Sequence, residues 1–275
     1  MSNFDIKRFG KTLLWSAKMT RKEMLTNFAV MFFAFTVPFI IYLLSRYNGT
    51  GAHTVASLMT TMRVDMGIYF IIAITGGCWL FNNMKTKEQR IMFKMLPATD
   101  LEKFLVRALY VTVVWWIMAY VAFCLADVFR MLISLIAGID VIRCLIPEFY
   151  SMLIGPSDYY SYIFIGMSPA EAYAMMTSPV AYIFWVHSLY ILGGALLRRR
   201  QFVLTTLVLF VLGIATVPIL RYLAEGAFHE ITRELAIPLI WTGAAVFTAW
   251  GIADWILSYK IFHRMQVINN KWLNL

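Results

Sequence analysis

Six long apolar runs, almost free of charged residues, limit the folds that this chain can adopt. A transmembrane helix needs about 20 mostly apolar residues to cross about 30 Å of hydrocarbon, and these runs approach or reach that length. The second run is short and is expected to extend outward past Asp65, while Asp254 lies near the inner end of the sixth. The runs are Leu25–Leu44, Met66–Phe81, Ala108–Ala126, Pro179–Leu197, Phe202–Leu220 and Ala236–Tyr259.

The composition agrees with a membrane protein and excludes soluble enzymes, disordered chains and fibrous repeats as leading interpretations. Hydrophobic residues make up 61% of the 275 positions and charged residues only 14%, against about 25% charged in an average soluble domain. A soluble fold of this length could not bury that much apolar surface. We therefore predict an all-α, polytopic membrane protein with six transmembrane helices.

The positions of Lys and Arg predict which side of the membrane each connection faces. Cytoplasmic loops are enriched in these residues, and an orientation with the N-terminus inside places 18 of the 24 on the cytoplasmic side. Both termini are then cytoplasmic, and Asp65, Asp127 and Arg130 count among the outer residues. The net charge of +9 is explained by this topology, so no nucleic-acid partner is predicted.

The segments outside the spans divide the chain further. Residues 1–24 place apolar side chains on one helical face and lysines on the other, which predicts an amphipathic interfacial helix, with a solvated basic tail as the alternative. Residues 25–262 form the transmembrane domain, and 263–275 form a cytoplasmic tail. Its outer segments are 127–178, expected to pack on the outer leaflet, and 221–235, expected to form an amphipathic helix or helix pair.

The cytoplasmic segment 84–103 is the most informative connection. Lys85 to Met95 mixes charged and apolar residues and predicts a short helix, which Leu96-Pro97 ends because proline disfavours helical geometry in the preceding residue. Thr99 and Glu102 have the spacing of a capping box, so the third transmembrane helix should begin there. A short helix at the membrane face is suited to being pushed by another protein, and an ordinary capped loop is the alternative.

Motifs for catalysis and metal binding are incomplete in this sequence. Gly10-Lys11-Thr12 imitates the end of a P-loop, but Asp5 stands where the motif needs a glycine. His229-Glu230 begins a zinc-protease pattern that fails at Arg233. The three cysteines and four histidines lack metal-site spacing. We therefore predict no enzymatic activity in this chain, and no catalytic, cofactor-binding or metal-binding residue.

Two polar residues within the spans remain as candidates. A carboxylate in hydrocarbon is a functional hypothesis by default, although Asp254 is close enough to the inner end to serve as a structural anchor. His187, near the middle of the fourth span, could titrate or line a path, and an interhelical hydrogen bond is the alternative.

The arrangement resembles the ABC-2 type permeases, the membrane subunits of ABC transporters. The local likeness is Met95-Leu96-Pro97-Ala98-Thr99-Asp100-Leu101-Glu102-Lys103, followed by Arg107. It is similar to the LPxSxxEKxxxR signature of a Bacteroidota branch of that family, with threonine in place of the usual serine.

The resemblance implies a machine in which two permease subunits, identical or related, pair with two separately encoded ATPase subunits. The chain would lie among the lipids of a bacterial cytoplasmic (inner) membrane and would act in an exporter. The helix from about Lys85 to Leu96 would dock on the ATPase. The contact residues expected there are Glu88, Arg90, Phe93 and Lys94.

Three other functions stay open at this point. An autonomous secondary transporter or channel of six helices would rely on ionisable groups at the midplane, here Asp254 and His187. An integral-membrane enzyme would need a cluster of catalytic side chains on converging spans, and the sequence offers none. An accessory membrane scaffold is the third.

Overall fold

The fold is known from a computed structural model of the chain, which describes residues 4–47, 55–84, 86–139, 142–154, 168–197, 200–227 and 233–265. This part of the chain is helical and contains no strand. The predicted all-α class is therefore confirmed. The α-helices are α1 (Ile6–Tyr47), α2 (Val55–Thr75), α3 (Lys87–Lys94), α4 (Asp100–Leu109), α5 (Trp115–Ile136), α6 (Ile146–Ile154), α7 (Pro169–Leu196), α8 (Gln201–Ala227) and α9 (Arg233–Arg264).

Shorter turns join some of these helices. Two 3-10 turns, Gly76–Trp79 and Asn82–Met84, lie between α2 and α3. A π-helical turn, Tyr110–Val114, joins α4 to α5, so the chain from Asp100 to Ile136 is helical throughout.

Within the described residues, five helical stretches are long and apolar enough to cross a membrane. They match five of the six predicted spans and are Ile6–Ser45, Val55–Trp79, Asp100–Ile136, Glu171–Leu196 and Ile237–Arg264. The remaining predicted span, residues 202–220, lies in α8, whose apolar stretch Gln201–Ala215 is shorter. A multi-pass membrane protein requires such helices, while the count of six and the cytoplasmic termini stay predictions.

The predicted boundary between an interfacial helix and the first span is not a break in the backbone. Helix α1 runs without interruption from Ile6 to Tyr47, because no glycine or proline stands between Lys11 and Val37 to end it. A location of residues 1–24 in the membrane surface stays a prediction. The tail 263–275, predicted to be cytoplasmic, lies largely outside the described residues.

Helix boundaries agree with the sequence where a capping signal was recognised and differ elsewhere. The capping box of Thr99 and Glu102 is present, and α4 begins at Asp100 as predicted. Helix α5 continues to Ile136, ten residues into the predicted outer segment 127–178, whose location outside the membrane stays a prediction. On its other side α7 begins at Pro169, where Ser168 and Glu171 form a second capping box. In the second predicted span, whose end was expected at Phe81, α2 gives way to a 3-10 turn at Gly76, and the candidate span ends at Trp79.

The chain divides into two compact units. The first unit comprises the described residues of 1–14, 74–111 and 166–275. Here α7 packs along α9 and against the Gly76–Trp79 turn. Two glycines allow this close packing, because a Cβ on Gly77 would lie 2.8 Å from the Ile191 backbone nitrogen, and one on Gly194 would lie 3.0 Å from the Cys78 carbonyl oxygen.

The second unit comprises the described residues of 15–73 and 112–165. Its apolar core is aromatic: the rings of Phe123 and Phe149 stack with centroids 3.9 Å apart, and Phe35 meets Phe123 edge to face at 5.8 Å. On α5 the fully buried residues Ala119, Ala122 and Ala126 lie three or four positions apart. Small residues at this spacing let neighbouring helices pack closely in a membrane protein.

Candidate functional site

The candidate site is the region around α3 and α4 in the first unit, and α3 is defined by strong local signals. Thr86 caps its N-terminus: the Thr86 hydroxyl accepts from the Gln89 N–H at 3.2 Å, and the Gln89 side chain accepts from the Thr86 N–H at 3.2 Å. Glu88 lies in the first turn and Lys94 in the last. Both charges oppose the partial charge of the helix end where they lie, which stabilises a helix of only eight residues.

The C-terminal half of α3 is bound to the end of α9. Phe93 is fully buried, and its ring lies 6.3 Å from that of Phe262. The Lys94 ammonium donates to the Phe262 carbonyl oxygen at 3.0 Å and also lies 4.0 Å above the Phe262 ring. Phe262 in turn stacks on Phe81 at 5.2 Å. A displacement of α3 would therefore act directly on the end of α9.

Salt bridges and hydrogen bonds also join α3 to α4. The Lys94 ammonium lies 3.1 Å from an oxygen of Asp100, the first residue of α4. The Lys103 ammonium donates to the Lys94 carbonyl oxygen at 2.7 Å, which satisfies a carbonyl that the end of a helix leaves without an intrahelical partner. His263 of α9 adds a contact to the second Asp100 oxygen at 2.9 Å.

The start of α1 is bound to α4 through Glu102. The buried Glu102 carboxylate accepts from the Arg8 guanidinium at 2.7 and 2.6 Å, and from the Asp5 N–H at 2.8 Å. It also accepts from the Thr99 N–H at 2.9 Å, so one carboxylate completes the capping box and binds the N-terminal helix. Paired, charge-assisted hydrogen bonds of this kind are stronger and more directional than neutral ones.

Arg107 connects α4 to the end of the 3-10 turn after α2. Its guanidinium is fully buried and donates to the Leu80 carbonyl oxygen at 2.7 Å and the Trp79 carbonyl oxygen at 2.9 Å. The side chain also packs 4.8 Å from the Tyr110 ring. The arginine of the family-like signature therefore donates to backbone carbonyl groups that the irregular geometry would otherwise leave without donor partners.

The four residues predicted to contact an ATPase lie on different sides of α3. Glu88 is exposed, and its own backbone N–H, followed by the Thr86 hydroxyl, lowers the pKa of its carboxyl group. Arg90 and Phe93 are buried within this chain, and Lys94 is partly covered by its contacts with α4 and α9. The exposed face of α3 consists instead of Lys87, Glu88, Ile91, Met92 and Met95.

The two polar residues predicted within the spans both have partners in the first unit. The Asp254 carboxylate accepts from the Ser188 hydroxyl at 2.8 Å and is partly exposed. His187 is buried, and its Nδ1 lies 3.0 Å from the Ile74 carbonyl oxygen. Since a carbonyl oxygen can only accept, Nδ1 carries the proton there. The structure does not bring these two side chains together with α3.

Three charged residues that the sequence analysis counted as outer residues are fully buried in the second unit. They are Asp65 of α2 and Asp127 and Arg130 of α5. The opposite charges of Asp127 and Arg130 at a spacing of three, inside an apolar helix, were a signal that could have identified them. Asp65 carried a weaker signal, a single acid beside a short apolar run.

Comparison of this chain with protein-family models, curated proteins and solved structures found no match.

Proposed function

We propose that this chain is the transmembrane permease subunit of an ATP-driven, ABC-2 type exporter in a bacterial inner membrane. A separate ATPase subunit supplies the energy, and a second permease subunit completes the membrane pore. The proposal rests on the resemblance of residues 95–107 to the family signature and on one structural observation. That observation is the attachment of α3, which lies outside the candidate spans, to two of them through Lys94, Asp100 and Phe262.

The contacts of α3 suggest how force from an ATPase would reach the spans. A push on the exposed face of α3 moves Phe93 and Lys94, which contact the end of α9. The same push moves Asp100 and Lys103, which lie at the start of the Asp100–Ile136 stretch. Movement of rigid helices between two packed arrangements is how such machines respond to a bound ligand, here ATP on the partner.

The positions of the side chains refine the surface proposed for the ATPase contact. Arg90 and Phe93 support α3 from within this chain, whereas Glu88, Met92 and Met95 are exposed and available to a partner. Met92 and Met95 leave 47% and 78% of their surface exposed. Flexible, apolar methionine side chains pack well in the groove of a partner protein.

Affinity purification of the tagged chain from its native host in mild detergent tests the proposal. A soluble protein with intact nucleotide-binding motifs should co-purify in stoichiometric amounts, and mass spectrometry should identify it. A homo-oligomer without any ATPase would contradict the proposal.

A double variant on the exposed face tests the contact itself. Glu88→Lys with Met92→Asp should reduce ATPase co-purification at least tenfold, because it reverses one charge and adds a second charge within the contact. Glu23→Lys makes the same reversal on α1 and serves as the matched control, with co-purification unchanged. Equal recovery from both variants would remove the ATPase contact from this face of α3.

The alternative function, an autonomous secondary transporter or channel, relied on Asp254 and His187. Each of these groups has a hydrogen-bonding partner within the same unit, as a structural role requires. Asp254→Asn can keep the contact with the Ser188 hydroxyl, so transport should stay within a few-fold of wild type. Near-complete loss of transport with intact assembly would favour the alternative.

A further inference from the structure

The second unit contains a buried charged group at the centre of a candidate span, which the proposed function does not use. Asp65 has ten residues of α2 on either side of it, or about 15 Å of helix at 1.5 Å per residue. This is half of the roughly 30 Å of hydrocarbon that a span crosses. Asp65 has no solvent-exposed surface, so it faces the protein interior near the middle of α2.

The neighbouring ionised residues already compensate one another. Arg130 donates to Asp127 Oδ1 from Nε at 2.9 Å and from Nη2 at 2.7 Å, and both side chains are completely buried. The Leu145 N–H donates to Asp127 Oδ2 at 2.8 Å, so both carboxylate oxygens of Asp127 have partners. Arg130 Nη2 also donates to the Arg143 carbonyl oxygen. The two charges of the pair cancel, and Arg130 Nη1 is the one guanidinium nitrogen without a hydrogen-bond partner among the described residues.

Asp65 is not compensated in this way. Neither of its carboxylate oxygens has a hydrogen-bond partner among the described residues. The charged side chain that acts on it electrostatically is Asp127 of α5, which has the same sign. An ionised Asp65 would therefore be a buried charge without a counter-ion and next to another negative charge, an arrangement that proteins avoid. A neutral carboxylic acid leaves only a neutral polar group unsatisfied, which is far less unfavourable.

We propose that Asp65 is a proton-binding site in the membrane-spanning region and carries a proton at neutral pH. The ligand is a proton rather than a metal ion because the site offers too few oxygens. Calcium and magnesium take about six oxygen ligands or more, whereas both Asp127 oxygens are occupied by Arg130 and Leu145. Within the described ranges, no group of three His, Cys, Asp or Glu side chains could hold a metal ion.

The site is linked to other parts of the second unit through the Asp127–Arg130 pair. Arg130 lies 5.5 Å from the Phe39 ring of α1 and acts electrostatically on Tyr42 in the same helix. It also binds the segment before α6 through the Arg143 carbonyl. Loss of the proton would place a second negative charge beside Asp127, so that two carboxylates rather than one would act electrostatically near Arg130. The proposal is independent of the ATPase contact, because the residues that carry it belong to the second unit.

Infrared spectroscopy of the full-length chain in lipid nanodiscs tests the protonation state directly. The difference spectrum of wild type minus Asp65→Asn at neutral pH should contain the carbonyl stretch of a protonated carboxylic acid, shifted by exchange into D₂O. The matched control is Glu148→Gln, which removes a carboxylate paired with Arg143 at 2.5 Å. Its difference spectrum should contain carboxylate and side-chain amide bands and no acid carbonyl band. A difference spectrum for Asp65→Asn that contains carboxylate bands and no acid carbonyl band would overturn the proposal.

Two further measurements decide the identity of the ligand and protect the test against misfolding. The acid band should have the same intensity in sodium chloride and in choline chloride. Replacement of this band by carboxylate bands on addition of sodium would show that the ligand is a cation other than the proton, and would overturn the proposal. If Asp65→Asn does not fold, Asp65→Glu retains the carboxyl group and should show an acid band at a shifted frequency. An Asp65→Glu spectrum without any change in that band would also overturn the assignment.

Discussion

The α3–α4 region of the first unit and the buried charges of the second unit accommodate ionised side chains in different ways. Around α3, the charges lie at helix ends, where backbone N–H and carbonyl groups and nearby side chains provide partners. In the second unit, the buried charges lie inside helices, and the Asp127–Arg130 pair takes its hydrogen bonds from its own side chains and from the segment before α6. A charge at a helix end therefore costs little free energy, because local groups stabilise it, whereas a charge inside a span depends on partners that tertiary packing provides.

Breaking the buried pair should produce the largest effect. Arg130→Met removes the counter-ion of a completely buried Asp127, and the loss of one partner of such a pair costs about 3–5 kcal/mol. Thermal unfolding of the purified chain in detergent measures this loss. Arg143→Gln is the control, because its ion pair with Glu148 leaves 51% of the Arg143 side chain exposed and contributes about 0–1 kcal/mol. Equal destabilisation by the two variants would show that the buried ion pair contributes no more to stability than the exposed one.

Removing the aromatic side chain that holds α3 should come next in size. Phe93 has no exposed surface, and the truncation of a buried phenylalanine to alanine costs about 3 kcal/mol or more. Because α3 is short, Phe93→Ala should loosen this helix locally rather than unfold the chain. Amide hydrogen exchange should become faster across Lys87–Lys94.

Met92→Ala provides the matched control on the same helix, since Met92 is 47% exposed, and exchange in α3 should change little. Protection of α3 that is the same in Phe93→Ala and wild type would show that Phe93 does not hold the helix. It would also return Phe93 to the set of residues available for a partner, as the sequence analysis expected.

The sequence predicted features that depend on local chemistry and missed those that depend on distant contacts. Thr99, Pro97 and Glu102 defined the turn and the start of α4 because capping and the proline constraint act within a few residues. The bond between Arg8 and Glu102 spans 94 positions of the chain, and no local pattern indicates it. The side of α3 that carries Phe93 was likewise undetermined, because an eight-residue amphipathic helix can bury its apolar face in its own chain or in a partner.

Loss of the α4 cap should have a smaller effect than either change above. The Thr99 hydroxyl accepts from the Glu102 N–H at 3.2 Å, and replacing such an N-cap by alanine costs about 1 kcal/mol. Thr99→Ala should lower thermal stability by that amount and increase hydrogen exchange in the first turn of α4. Thr99→Ser, which has the residue usual in the family signature, retains the hydroxyl and should behave like wild type. Identical loss in both variants would mean that the hydroxyl does not cap the helix.

The smallest effect should come from Asp65→Asn, and this result sharpens the comparison most. Asparagine matches the shape of a neutral aspartic acid, so the substitution should cost no more than about 1 kcal/mol if Asp65 already carries a proton. Asp127→Asn replaces an equally buried acid, but it leaves the Arg130 charge without its partner and should cost several times more, about 3–5 kcal/mol. Thermal unfolding of the two variants at neutral pH measures the difference. A loss of stability in Asp65→Asn as large as that in Asp127→Asn would mean that Asp65 is ionised and compensated. The two buried aspartates of the second unit would then both be ionised residues that depend on a partner.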